Sequence, residues 1–442
     1  MATIPTSSQP FNIAIIGGGI AGLTLATGLL KHDVPFTLYE SASKFGEIGA
    51  GVGFHANMVR TMDLISPKIR EGFLRSANLL NGNPPVWFTV RVGDERKADG
   101  NGIVLRRDGK EFQVDEALFD VYARSGPAGG IHRAHFVDEL VKLIPSDRTQ
   151  FRKRLVDITE VEDGSGDACV HFADGTTAQH SAVIGCDGIK SRTRELVLGE
   201  GDAKPVFSGK YAYRGLIPMT EAKKIMGEEG AMGKHIYVGY GGHVLTFPIA
   251  KGTIVNVVAF NSRENWTDPE WVVQTSRDGM LADYSTWCPT VQSIVSAMQK
   301  PDIWALFNHN PAPTYVKTRP RICLLGDAAH ASTPHSGAGA GMCIEDCYIL
   351  SSLIADVTDA KNLETAFKAY DEVRRPRSLK LVKESKEAGM LYDFEGPTGD
   401  DIEALESNMK HRMNWIWDAD ISLDLEQARM IFNQNAKDAL PI

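Results

Sequence analysis

The 442-residue sequence has no uninterrupted apolar run of about 18 residues, so no membrane span is expected. It also lacks a basic tract: 47 Lys and Arg stand against 56 Asp and Glu, for a net charge of -9. A chain without such a tract cannot neutralise a phosphate backbone, which excludes nucleic acid as an expected partner. An anionic small molecule stays open, because a few Arg or His residues set the sign inside one pocket. Cysteine is sparse. Cys169, Cys186, Cys288, Cys323, Cys343 and Cys347 form no CxxC pair, so no metal site is expected and buried reduced thiols are. The opening MATIPTSSQP has neither a basic n-region nor an apolar h-region and reads as a frayed tail. With reduced thiols, that favours a cytoplasmic location.

What is present is a substantial core. Hydrophobic residues make up 43% of a chain longer than one core usually serves, so two interleaved lobes are expected. The stretch 12-NIAIIGGGIAGLTLATGLLKHDVPFTLYE-40 reads as strand, glycine turn, helix and strand. Helical spacing recurs at 133–144, 339–357 and 363–375. Between 207 and 261 strand-like runs separated by glycine turns take over, and 85–92 adds another. The fold class is therefore α/β: a Rossmann-like nucleotide domain with an inserted antiparallel-sheet domain and a C-terminal helical region. The nucleotide domain is assigned to 1–84, 126–205 and 313–392, the sheet domain to 85–125 and 206–312, and the helical region to 393–442. The charge-dense 371-DEVRRPR-377 reads as a salt-linked surface at a helix end. Trp415 and Trp417 are expected to pack the last segment onto the body or onto a second subunit, leaving monomer and homodimer open.

Gly17, Gly19 and Gly22 form GxGxxG directly after a strand and open a helix, with Glu40 ending the next strand. Glycine lets backbone N–H groups approach a pyrophosphate at the positive end of the helix, and Glu40 can accept from ribose hydroxyls. NAD and FAD both fit that pattern. Two later segments narrow it: 185-GCDGIKSRTR-194, and 321-RICLLGDAAHASTPHSGAGAG-341 with its Gly326-Asp327 pair.

With these three motifs in order, the chain resembles the single-component aromatic flavoprotein monooxygenases over essentially its whole length. The resemblance implies a para-hydroxybenzoate hydroxylase-like FAD-binding domain. It implies that Asp327 meets the ribitol chain, that Gly339 and Ala340 present N–H groups to the isoalloxazine pyrimidine edge, and that Arg133 reaches the flavin. Asp187, Ser191 and Arg194 lie in the segment associated with transient docking of NADH or NADPH. No second GxGxxG is present, which counts against a two-nucleotide reductase. Closer similarity is to salicylate hydroxylases, in 211-YAYRGLIP-218, 243-HVLTFPIAKGTIVNVVAF-260, 334-PHSGAGAG-341 and 412-RMNWIWDADISLDLEQAR-429. That similarity implies O2-dependent hydroxylation through a flavin C4a-hydroperoxide, with salicylate going to catechol and CO2.

His335, between Pro334 and the glycine-rich helix start, is the first candidate for the polar group beside the substrate. Arg214 is the second, because a guanidinium could balance a carboxylate or phenolate in an apolar pocket. Alternation favours His243, Leu245 and Phe247 as wall residues, with Pro334 beside them, and His330 reads as structural. Hydroxylation without CO2 loss, oxidative dearomatisation of a polyketide phenol, and a flavin-binding reductase or sensor remain as alternatives.

Overall fold

Four consecutive apolar residues, Ile13–Ile16 (β1), are wholly buried, as a strand covered on both faces requires. In this computed structural model, which describes residues 10–46, 51–99, 102–105, 109–300 and 302–438, β1 opens a βαβ unit. Its other members are Ile20–Lys31 (α1) and Phe36–Glu40 (β2). The tail read as frayed lies outside the described residues over 1–9.

The chain continues through Gly51–Phe54 (β3), Ala56–Ile65 (α2), Val86–Val92 (β4), Ala117–Tyr122 (β5), Gly129–His132 (β6) and Arg133–Val141 (α3). It returns to the first lobe with Thr149–Phe151 (β7), Ala182–Gly185 (β8) and Arg192–Leu198 (α4). Val206–Pro218 (β9), His235–Val238 (β10), Gly242–Ile249 (β11), Ile254–Ser262 (β12), Val272–Gln274 (β13) and Asp302–Asn308 (β14) build the second lobe. Val316–Lys317 (β15), Ile322–Leu324 (β16), Asp327–His330 (α5), Gly339–Ala355 (α6) and Leu363–Tyr392 (α7) complete the first. Ile402–His411 (α8) and Ile421–Asp438 (α9) form the C-terminal helical region.

The first sheet has the order β7-β2-β1-β8-β16-β15 and is parallel except at its β15 edge. Helices α1 and α6 pack together on it. Because β1, β8 and β16 run side by side in one direction, the turns that follow them converge at one edge. Open α/β sheets bind ligands at that edge.

The second sheet has the order β13-β14-β9-β12-β11-β10-β4-β5. It is antiparallel except where β4 meets β10 with His235 opposite Thr89. The purely antiparallel expectation fails there because β4 reaches the sheet from a remote part of the chain, and only hairpin neighbours are forced to run opposite ways. Period-2 alternation splits its faces. Val244, Val257, Ala259, Tyr211 and Tyr213 join a core with Val291 and Ile294. Arg214, Val258 and Leu245, aligned across β9, β12 and β11, belong to the opposite face.

The 371–377 expectation needs correction. The segment lies inside the 30-residue α7, which continues through Pro376. Arg374 is fully buried and meets Glu345 at 2.8 Å, Asp346 at 2.9 Å and Asp424 at 2.9 Å. These acids come from α6 and α9, so the arginine clamps three helices instead of solvating one. Trp417 is buried 6.4 Å from Trp87, and Trp415 donates to Glu384 at 2.6 Å, so both pack on the body of the chain. Of the six cysteines, five are buried and Cys169 is partly so, and none is disulfide-bonded.

Burial drives several histidines to stay neutral. His180 and His235 are lowered to about 4 and His309 to about 3, and His55 and His335 fall well below the usual value. A histidine depressed in the folded state contributes stability that is present above the unfolded pKa of about 6.5. That stability is lost as pH falls below it. Each contributes a slope of about 1.4 kcal/mol per pH unit until its folded pKa is reached. Urea midpoints are therefore expected to drop steeply from pH 6.5 to 5. A flat profile across that lower window would contradict the neutral, buried assignment.

Candidate functional site

At the convergent edge of the first sheet lies a cleft of about 590 Å3 whose walls include Gly17, Gly19, Glu40, Arg133, Asp187 and Asp327. Gly17 has φ +105°, and a Cβ on it would stand 2.4 Å from the Cys186 carbonyl oxygen. Only glycine fits a turn pressed so closely on the loop after β8. A Cβ on Gly22 would lie 1.9 Å from the Gly17 oxygen, so α1 starts directly beneath that turn. Glu40 is held at the rim: Oε2 accepts from Gly18 N–H at 2.8 Å and Oε1 from Ala42 N–H at 2.7 Å.

Two helix starts open onto the cleft with no side-chain cap and no acid in the first turn: α1 after Gly19, and α6 after Ala338. Gly18, Gly19, Gly339 and Ala340 belong to its lining. Unsatisfied N–H groups and the positive helix ends favour anionic groups at both places. One molecule carrying a diphosphate and, at its other end, a ring that becomes anionic on reduction satisfies both. The residues present fit FAD. If it binds here, Glu40 would meet the ribose, the start of α1 the diphosphate, Asp327 the ribitol, and the Gly339 and Ala340 amides the pyrimidine edge.

Asp187 borders the cleft, but its carboxylate is turned inward. It accepts from Ser191 Oγ at 2.5 Å and from the Thr193 N–H and Oγ1 at 3.0 Å, and burial pushes its carboxyl up. Its work is to fold the turn, with Ser191 capping α4. The expectation for Arg194 is corrected outright. It is fully buried and donates to the carbonyls of Ala329 at 2.6 Å, Ala328 at 3.2 Å and Asn310 at 3.2 Å. The first turn of α4 points into the core, so this guanidinium secures α5 and is not available to a nicotinamide in a groove.

A second cavity of about 290 Å3 adjoins the first, and Val52, Arg133, Asp327, Gly339 and Ala340 line both. Its floor is the sheet face carrying Leu245, Phe247, Val258 and Phe260, and Pro334 stands opposite. Arg214 enters from the same face. Its Nε is buried without a hydrogen-bond partner, its guanidinium carbon lies 5.0 Å from the Trp304 ring centre, and no carboxylate pairs with it among the described residues. Burial, and then the charge of Arg133, lower its pKa to about 10. A buried cation without a counter-ion is costly unless a ligand supplies the charge. Thr333 Oγ1, also buried and unpartnered, adds a polar group to this wall.

Two candidates stand apart from the cavity. His335 lines neither cavity: its ring packs 4.8 Å from Phe260 and 5.2 Å from His243. The expectation that it stands beside the substrate is corrected by Gly389. A Cβ there would fall 2.6 Å from His335 Cδ2, so the glycine makes room for the ring against α7. Both ring nitrogens lack partners, and burial keeps the ring neutral. His243 shares the β11 face with Leu245 and Phe247 but lies outside the lining, because Asp393 claims it at 2.6 Å, with Lys210 on the other carboxylate oxygen. His330 is structural, its ring 2.5 Å from Asp346. Val258 and Phe260 were not singled out from the sequence, although the alternation of 254-IVNVVAF-260 against β11 carried the signal. Lys234 and Trp87 were also missed.

A family model described as FAD binding domain matches residues 148–385. The chain is 38% identical over 435 residues to 6-methylsalicylate 1-monooxygenase atA of Aspergillus terreus, covering 97% of this chain and 93% of that protein. It is 36% identical over 436 residues to a salicylate hydroxylase of Pseudomonas putida, covering 94% of each. Among solved structures, one described as a salicylate hydroxylase substrate complex superposes with a TM-score of 0.81 at 32% identity. That match covers 96% of this chain and 98% of the other.

Proposed function

The chain belongs to the single-component FAD-dependent aromatic monooxygenases close to salicylate hydroxylase, and from that premise we propose that it hydroxylates a phenolic acid, releasing CO2 as in the conversion of salicylate to catechol. One oxygen atom of O2 enters the ring at the carbon that loses its carboxylate, and the other leaves as water. The observation that carries this reading is Arg214, a cation without a counter-ion among the described residues, set beside the apolar floor of a cavity that shares its wall with the cleft.

When bound, FAD supplies the two electrons taken from NADH or NADPH and the activation of O2. The protein's own part is binding, charge and dryness. Arg214 holds the substrate carboxylate or phenolate by charge-assisted hydrogen bonds and favours loss of the phenolic proton, which makes the ring electron-rich. Leu245, Phe247, Val258 and Phe260 exclude water, which protects the activated oxygen from wasteful release as H2O2. The Gly339 and Ala340 amides, at the uncapped start of α6, would hold the flavin ring and favour negative charge there. A cytoplasmic location, as a monomer or homodimer, belongs to the same proposal. No helix of the described residues is long and apolar enough to cross a membrane.

Salicylate labelled at its carboxyl carbon separates the outcomes. Labelled CO2 released in step with NADH oxidation and catechol formation is the expected result. A product that gains one oxygen and keeps the label would select hydroxylation without decarboxylation, or dearomatisation of a related phenol, as the native reaction. NADH oxidation yielding only H2O2 would reduce salicylate to an effector.

A further inference from the structure

Lys234 faces the same cavity as Arg214 and Arg133. Lys234 directly precedes β10, and its carbonyl accepts from Thr89 N–H at 2.9 Å, which fixes it against β4. The pairing of His235 with Thr246 sets Lys234 beside Phe247, at the edge of the apolar floor formed by β11 and β12. Arg214 stands at the other edge, on β9. From β9 across β12 and β11 to β10 are three strand-to-strand steps, roughly 14 Å of backbone at about 4.8 Å each. Val258, Leu245 and Phe247 lie between them.

The Lys234 side chain is buried, with Nζ 4.1 Å from the centre of the Trp87 ring, and no carboxylate pairs with its ammonium among the described residues. Contact with an aromatic face offsets part of the desolvation of a cation but supplies no counter-charge. The charged and titratable groups that face it are cationic or neutral, apart from Asp327 where the two cavities meet. They are Arg214 and Arg133 in the lining and His55, which is buried against Trp87 at 3.9 Å and kept neutral by burial and then by the Lys234 charge. A 290 Å3 cavity with unpaired cations at two opposite edges and an apolar strip between them is shaped for a ligand with two separated anionic ends.

We propose that Lys234 is a second anion-binding residue of the substrate cavity, and that the preferred substrate is an aromatic acid carrying ionisable oxygen groups at opposite ends of its ring system, one on Arg214 and one on Lys234. This rests on the assignment of the cavity to the aromatic substrate. Salicylate, with its two groups on adjacent carbons, engages only one of the cations. When the far group is a phenol, its proton passes from oxygen to the Lys234 amine, leaving a phenolate paired with an ammonium. Burial lowers the lysine to about 7, so affinity for a doubly anionic ligand falls as pH rises from 6 to 8.

The test is titration of the purified yellow protein, followed by the flavin spectrum. The ligands are salicylate, 2-hydroxyterephthalate and the naphthalene analogue with its second carboxylate on the far ring. At pH 6 the better dianion is expected to bind about tenfold or more tighter than salicylate. Lys234→Met is expected to weaken the dianion at least about tenfold more than salicylate, and Lys234→Arg to restore the dianion and abolish the pH 6 to 8 decline. Retained flavin and an unchanged melting temperature check that the variants fold. Salicylate bound through Arg214 while Lys234→Met weakens both ligands equally, or neither, would overturn the second site alone. Absence of any ligand response in the wild type, or salicylate binding indifferent to Arg214→Met, would instead overturn the assignment of the cavity.

Discussion

A Gly17→Ala protein is expected to be isolated without flavin colour. The residue has φ +105°, which costs an L-side chain about 1–3 kcal/mol, and its Cβ would meet Cys186 O at 2.4 Å, Cys186 C at 2.8 Å and Asp187 Cα at 3.0 Å. All three are backbone atoms, so no rotamer relieves the clash. The turn after β1 and the loop after β8 must separate, and these are two walls of the cofactor cleft. FAD affinity is expected to fall by on the order of a hundredfold or more, since about 3 kcal/mol corresponds to that factor. The contrast is Gly339→Ala, where the nearest atom to the new Cβ is Ser332 Oγ at 3.4 Å, so a loss of only a few fold is expected. Full flavin retention by Gly17→Ala, read from absorbance per polypeptide, would contradict the cleft geometry.

Arg214→Met is expected to give the opposite phenotype: a yellow, folded protein with little turnover. Losing one member of a buried charge-assisted pair costs about 2–5 kcal/mol, so kcat/KM for the phenolic acid should fall on the order of a thousandfold. The sign of the stability change separates a ligand anchor from a structural arginine. No carboxylate pairs with the guanidinium among the described residues, and its Nε has no partner, so removing it without substrate relieves a desolvation cost. The melting temperature is therefore expected to rise or stay level. Arg214→Lys should recover only part of the activity, because an ammonium keeps the charge but not the planar fork. A melting temperature lowered by several degrees would mean that Arg214 supports the sheet.

The nucleotide lobe was legible in the sequence because its demands are local. A strand covered on both faces reads as IAII, the turn after it tolerates only glycine at 17 and 22, and helical spacing follows at once. The wall of the second cavity was legible through period 2, which sets Leu245 and Phe247 on one side of β11. His243 obeys the same period, yet its ring is drawn away by Asp393, 150 residues later. The orientation of His335 depends on an absent side chain at Gly389, on a helix that no loop pattern points to. The 371–377 segment misleads in the same way, since charged residues at helical spacing read as surface until their partners are known. A lone lysine before a strand, such as Lys234, also reads as surface; only the eight-stranded pairing shows it opposite Arg214. Distant partners, more than propensity, limit what the sequence discloses.

The most direct test of the central claim, that Arg214 anchors a phenolic acid for oxygen transfer from the adjoining flavin cleft, is the fate of isotopically heavy O2. The wild-type protein with NADH and salicylate should place one heavy oxygen atom in the aromatic product, and Arg214→Met should consume NADH without labelling the ring. Equal labelling by both proteins, or heavy oxygen recovered from the wild type only as H2O2, would contradict the account.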